Sequence, residues 1–249
     1  MKRAASPAKY LSRVDAALAR VIAAAGPYTL TPQPSRPPFQ HLARSIVYQQ
    51  LNGTAAAIIL GRFVALYTQP QGGCAESPFP SPEQVLATTD EKIRATGFSF
   101  SKIAALKDLA RHALKGIVPD LTTLQSLPDA EIVTRLTRVR GIGPWTVEMM
   151  LMFHLGRADV LPVGDFGVCN GFRLAYGLRG MPKPKALAEF GERWAPHRTA
   201  AAWYLWRAVD LHRAGKLPAP LKPSPRVALI RRKAKTKPVP KKKSKRKTD

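Results

Sequence analysis

Apolar residues along this chain recur at helical spacing. Leu11, Val14, Leu18, Val21 and Ile22 fall at i, i+3, i+7, i+10 and i+11, one stripe of an amphipathic helix that Gly26-Pro27 ends. Thr31 to Pro38 is rich in proline and reads as an extended strap. From Phe39 a helix resumes, with Leu42 and Ile46 one turn apart, and Ala55 to Tyr67 makes another. Between them the polar run Tyr48-Gln49-Gln50-Leu51-Asn52-Gly53 is either an exposed turn or a functional hairpin. Thr68 to Pro80, with its Pro and Gly, is a loop, and Ser81-Pro82-Glu83-Gln84 supplies a cap, a first-turn Pro and a capping-box Gln for the next helix. A short helix begins near Asp90, a turn covers Thr96 to Lys102, and an amphipathic run spans Ile103 to Leu114. Leu127-Pro128-Asp129 opens a helix to about Arg140, and a Pro and Lys hinge lies at Met181 to Lys185. Helices then follow from about Ala186 to Trp194 and from Thr199 to Ala214, the last with Trp203 and Trp206 on one face. No run alternates as a strand would. The pattern predicts an all-α fold of roughly ten short helices.

Composition narrows the class of partner. The 249 residues, 45% hydrophobic, suffice for one large core or two lobes sharing a cleft. The net charge of +24 favours a polyanionic partner, a nucleic acid or an anionic membrane surface, although a solubility tail alone could also produce it. From Arg226 onward twelve Lys or Arg and one Asp give +11, so residues 1–225 keep +13. The segment 223–249 reads as a disordered basic tail, suited to salt-sensitive affinity for a polyanion or to a nuclear address. No run of about 18 apolar residues exists and no signal core opens the chain, so a soluble, unsecreted protein is expected, cytoplasmic in a bacterium or nuclear in a eukaryote. Cys74 and Cys169 form no CxxC, which speaks against a disulfide framework and against a cysteine-ligated zinc or iron–sulfur site. The five His show no ligand spacing.

The densest chemistry lies between Leu136 and Phe172. Gly141-Ile142-Gly143 separates two helices, the second starting near Pro144. Such a turn is either a tight corner or a place where backbone amides and a helix N-terminus grip a phosphate without reading sequence. Downstream, Asp165 emerges from the apolar loop Leu161-Pro162-Val163-Gly164, as a helix cap, a catalytic carboxylate, or both.

The spacing L-x-x-V-x-G-I-G-x-x-T, from Leu136 to Thr146, with Asp165 beyond it, resembles the helix-hairpin-helix DNA glycosylase superfamily. GIGPWT, LGRADVLPVGDFGV, the terminal helix with Trp206, the Phe39 to Tyr67 segment and Gly97-Phe98-Ser99-x-x-Lys102 are similar to its DNA-3-methyladenine glycosylase II branch, over Leu11 to about His212. The resemblance implies a two-lobed fold over 1–222. One lobe would comprise about 1–40 with 156–222 and the other about 41–155, including the hairpin 136–146, with the active cleft between them. It also implies that the amino-terminal β domain of longer members is absent.

For function, the resemblance implies a monomeric enzyme that flips an alkylated base out of double-stranded DNA and hydrolyses its glycosidic bond in base excision repair. Asp165 would stabilise the developing sugar cation and direct water. Trp206, Trp145, Met149 and Tyr48 would form the base pocket, where a cationic base gains cation–π attraction. Gln50 or Leu51 would fill the gap in the duplex, and Gly141, Ile142, Gly143, Thr146 and Lys102 would contact DNA. Family members that also cut the strand carry a nucleophilic Lys where this chain has Trp145, so no lyase step is expected. No cofactor is required; backbone carbonyls of Thr137, Val139 and Ile142 would hold a structural sodium or potassium ion. Two other readings stay open: a non-catalytic protein that grips the DNA backbone, and a glycosylase for mismatched or oxidised bases.

Overall fold

The structure is a computed structural model that describes residues 6–33, 36–67 and 79–221; the tail expected over 223–249, most of the Thr68 to Pro80 loop and Cys74 lie outside them. Every regular element among the described residues is helical. In chain order these are α1 (Pro7–Val14), α2 (Ala16–Ala25), α3 (Pro38–Tyr48), α4 (Gly53–Ala65), α5 (Pro82–Ala87), α6 (Asp90–Ala95) and α7 (Phe100–Leu114). There follow α8 (Leu121–Ser126), α9 (Asp129–Leu136), α10 (Pro144–Phe153), α11 (Phe166–Ala175), α12 (Pro184–Gly191), a 3₁₀ turn (Glu192–Trp194) and α13 (Arg198–Arg213). The Ser81 and Gln84 capping box forms as its spacing predicts. Helix α8, which the apolar pattern does not announce, starts where Asp120 accepts the Thr123 amide.

The chain divides into two compact units, Met1–Thr29 with Leu161–Asp249, and Leu30–Val160. The expected boundary near residue 40 is corrected to residue 30 because the strap is bound to the end of α10. Gln33 donates its amide to the Phe153 carbonyl at 2.9 Å, and its own carbonyl accepts from His154 Nδ1 at 3.1 Å. Pro32 packs so close to Gly156 that a Cβ there would lie 2.9 Å from the ring.

In the first unit, the single helix expected over Leu11 to Ile22 is broken at Asp15, whose extended backbone separates α1 from α2. The cause is the carboxylate. Asp15 is 6% exposed; its Oδ1 accepts the Ala17 and Leu18 amides, and its Oδ2 accepts Tyr176 Oη at 2.7 Å and Trp194 Nε1 at 3.0 Å. Four donors offset the cost of burying a charge, and they join both ends of the chain within this unit. Helices α11 and α13 pack against each other along their lengths. Gly171 permits this, since a Cβ on it would meet the Leu205 carbonyl oxygen at 1.9 Å.

In the second unit, α3 packs on α4 and α7, α5 packs on α7, and α9 packs on α10. Phe63, Phe98, Ile103 and Leu106 fill the core. The polar turn after α3 and the glycine hairpin before α10 are both carried by this unit.

Candidate functional site

The hairpin follows from one apolar face and two glycines. Leu136, Val139 and Ile142 are buried and anchor the turn, while Gly141 and Gly143 are exposed. The Val139 amide returns to Leu136 O and the Ile142 amide to Val139 O, each in a tight turn. Gly141 has φ +80, and a Cβ there would lie 3.2 Å from that of Ala105, so the residue answers both to conformation and to space. Arg140 gives its amide to Asp108 Oδ2 at 2.8 Å. With the Arg140 and Ile142 amides engaged inside the chain, Gly141 and Gly143 present the exposed backbone at the mouth of α10. Gly143 caps that helix without a side chain and Pro144 fills its first position.

Of the expected DNA contacts, Gly141 and Gly143 therefore lie on the surface and Ile142 beneath it. Thr146 is buried, 7% exposed, and lines a pocket. Thr137, Val139 and Ile142 share the turn between α9 and α10, and Val139 O already accepts one hydrogen bond. A donor set made only of backbone oxygens suits a weakly held monovalent ion better than a divalent one. No group of His, Cys, Asp or Glu that could hold a metal occurs among the described residues.

The polar interruption after α3 is a turn that faces the hairpin. Gln49 Nε2 donates to the Gly141 carbonyl at 2.8 Å. Gln50 adopts φ +58, the left-handed region that non-glycine residues rarely occupy. Leu51 follows, exposed, and Asn52 caps α4 through the Ala55 amide. Lys102 is half-buried behind this turn. Its Nζ donates to Val47 O at 2.7 Å and Gln49 O at 2.8 Å, so two of its three donors close the end of α3, and the surrounding desolvation lowers its pKa.

Between the end of α3 and the start of α10 opens a pocket of about 450 Å³, lined by Ser45, Tyr48, Gln49, Gln50, Trp145, Thr146 and Met149. Three of the four expected pocket residues, Tyr48, Trp145 and Met149, meet here. Trp145 is 48% exposed, unusual for an indole whose neighbours Thr146 and Val147 are buried.

The fourth, Trp206, belongs with Asp165 in the other unit. Asp165 caps α11: its Oδ1 accepts the Val168 amide at 2.7 Å and Trp206 Nε1 at 2.8 Å. Gly167 makes room, since a Cβ there would lie 2.7 Å from the Trp206 ring. Cap and candidate catalyst are thus one carboxylate. Cys169, whose thiol donates to Val163 O, has its pKa raised by burial and by the Asp165 charge. Trp203, three residues before Trp206, packs edge-on to Tyr28 at 5.4 Å and under Arg207, as a structural aromatic does. Phe166, beside Asp165 and 74% exposed, carries no periodic signal in the sequence and was not anticipated. Nor were Gln49, whose bond to Gly141 spans the chain, and Ser45, which lines the pocket.

A glycine hairpin between two helices and a helix-capping Asp beyond it define a class. Residues 43–197 match the family described as HhH-GPD superfamily base excision DNA repair protein, and the chain belongs to that family. It is 37% identical to DNA-3-methyladenine glycosylase 1 of Schizosaccharomyces pombe, over 81% of this chain and 86% of that protein. The solved structure of the Schizosaccharomyces pombe 3-methyladenine DNA glycosylase (Mag1) in complex with abasic DNA matches with TM-score 0.68 at 36% identity, covering 81% of this chain and 95% of that one. The crystal structure of DNA-3-methyladenine glycosidase from Bacillus halodurans matches with TM-score 0.69 at 38% identity, covering 82% and 89%.

Proposed function

We propose that the protein is a monofunctional glycosylase that hydrolyses the N-glycosidic bond of alkylated bases, of the 3-methyladenine and 7-methylguanine type, in double-stranded DNA. The relatives' names point to that substrate class. The observation that carries the mechanism is Asp165 held by the Val168 amide and the Trp206 indole N–H. In the reaction the C1′–N bond breaks, the electron pair leaves with the base, and a base already positively charged departs neutral without a strong acid to protonate it. The sugar gains cationic character, which a fixed carboxylate stabilises without reorganising. Water then adds to C1′ and its proton passes to Asp165 or to solvent.

Base flipping exposes the target atom, and Tyr48, Trp145 and Met149 offer an aromatic and polarisable surface to a cationic base. The indole of Trp145, at the position of the strand-cutting Lys, cannot form a Schiff base, so an abasic site in an intact strand is the product. Gly141 and Gly143 bind a phosphate through backbone, and Gln50 or Leu51 fills the gap in the duplex. Thr137, Val139 and Ile142 would hold a monovalent cation through their carbonyls, adding positive charge near that phosphate. The protein acts as a monomer. No helix of the described residues is long and apolar enough to cross a membrane.

The test is incubation with methylated duplex DNA beside duplexes carrying oxidised guanine or uracil. Release of methylated purines without strand cleavage is expected. Binding without any base release would favour a backbone-gripping protein instead, and release of the oxidised base or uracil alone would replace the substrate class.

A further inference from the structure

The end of α3 is held from two sides by groups that no step above uses. Lys102 reaches from α7 to the carbonyls of Val47 and Gln49, which a helix C-terminus leaves without partners and at its negative end. One residue on, Gln50 keeps φ +58, a strained state that persists only where its surroundings fix it. The Gln49 side chain fastens the same turn to the Gly141 carbonyl. Because a carbonyl only accepts, it is the amide nitrogen of Gln49 that faces Gly141, and the side-chain orientation is fixed. Tyr48, Gln49 and Gln50 make one wall of the 450 Å³ pocket, and Trp145, Thr146 and Met149 make the other.

We propose that Lys102 and Gln49 form a positioning clamp, which holds the gap-filling turn and the pocket wall in register with the phosphate-gripping hairpin. The inference rests on the glycosylase reading. Phosphate bound at Gly141 and Gly143 then fixes, through the Gly141 carbonyl and Gln49, where Gln50 and Leu51 enter the duplex. Lys102 acts through the backbone of α3 and not on DNA. The depressed pKa of its ammonium accords with its enclosure.

The experiment compares wild type, Lys102→Met, Gln49→Met and the double variant in three measurements. These are affinity for undamaged duplex across salt concentrations, fluorescence of 2-aminopurine at the target position as a report of flipping, and single-turnover release from methylated DNA. Each single variant is expected to lose about tenfold in release rate and several-fold in flipping amplitude, as misplacement by a fraction of an ångström would cause. The slope of log affinity against log salt should stay unchanged, since no phosphate contact is removed. The double variant should be no worse than the poorer single one, because both remove the same clamp. A slope lower by about one for Lys102→Met, with flipping intact, would make Lys102 a phosphate contact and overturn the clamp. Additive losses would overturn it too. Should Lys102→Met not fold, Gln49→Met decides alone, and unchanged flipping and release would refute the proposal. If wild type flips 2-aminopurine yet releases no methylated base, the glycosylase reading fails while the flipping comparison still judges the clamp.

Discussion

At the residue scale, Asp165 serves two masters with one oxygen. Asn keeps a side-chain oxygen for the Val168 amide and the Trp206 indole and caps helices as well as Asp does, so Asp165→Asn should leave thermal stability nearly unchanged. It removes the negative charge, and release of methylated base should fall by about a hundredfold or more in single-turnover assays. Undiminished release from a folded variant would end the proposed mechanism. Trp206→Phe deletes the N–H and shrinks the bicyclic indole to a phenyl ring; a loss of about tenfold or more in release rate, with a modest fall in Tm from the lost packing, is the expected result. In the sequence Asp165 stands out only through the family resemblance, since spacing alone leaves Asp159, six residues earlier, as a rival. Its bond to Trp206 is not legible there, since forty-one residues separate them and only the packing of α11 on α13 brings them together.

At the element scale, helix starts such as Ser81, Asp90 and Pro144 were readable because capping is local chemistry. The break at Asp15 was hidden by an uninterrupted apolar stripe, and its cause lies in Tyr176 and Trp194, far along the chain. Lys102 shows the same limit: a lysine near a turn looks like a surface cation until the carbonyls it closes are seen. The contact of α11 with α13 sets another prediction. Gly171→Ala should cost about 1–3 kcal/mol or more in denaturant unfolding, because the methyl group would collide with backbone that cannot rotate away. A change of a few tenths would show that the two helices separate freely.

At the scale of the whole molecule, buried Asp15 and half-buried His41 each make a prediction about stability. Asp15→Asn exchanges one acceptor oxygen for a donor amide, so at least one of four buried donors loses its partner; a loss of about 2–4 kcal/mol is expected by equilibrium unfolding. His41 stacks on His154 at 4.4 Å, and burial, followed by the His154 ring, Arg36 and Arg44, lowers its pKa to about 4. The unfolded chain, with an ordinary histidine pKa near 6.5, takes up the proton first as pH falls. Stability from this group is complete above about pH 6.5 and is lost progressively on acidification towards pH 4. Melting temperatures across that range should show the decline, and His41→Phe, which keeps a stacked ring, should lessen it, leaving the part due to buried His154, whose own pKa burial lowers.

The close approach at Gly171 bears on how this protein wears out. Trp206 follows directly after Leu205, the residue whose carbonyl seats against that glycine, and Asp165 starts the helix on which the glycine lies. The spacing of carboxylate and indole is therefore set by two backbones in contact, with little slack for gradual drift. Warming should leave the pair intact until the surrounding helices come apart, so enzymatic ageing would be abrupt, with residual activity tracking the folded fraction and no long-lived, folded but sluggish form.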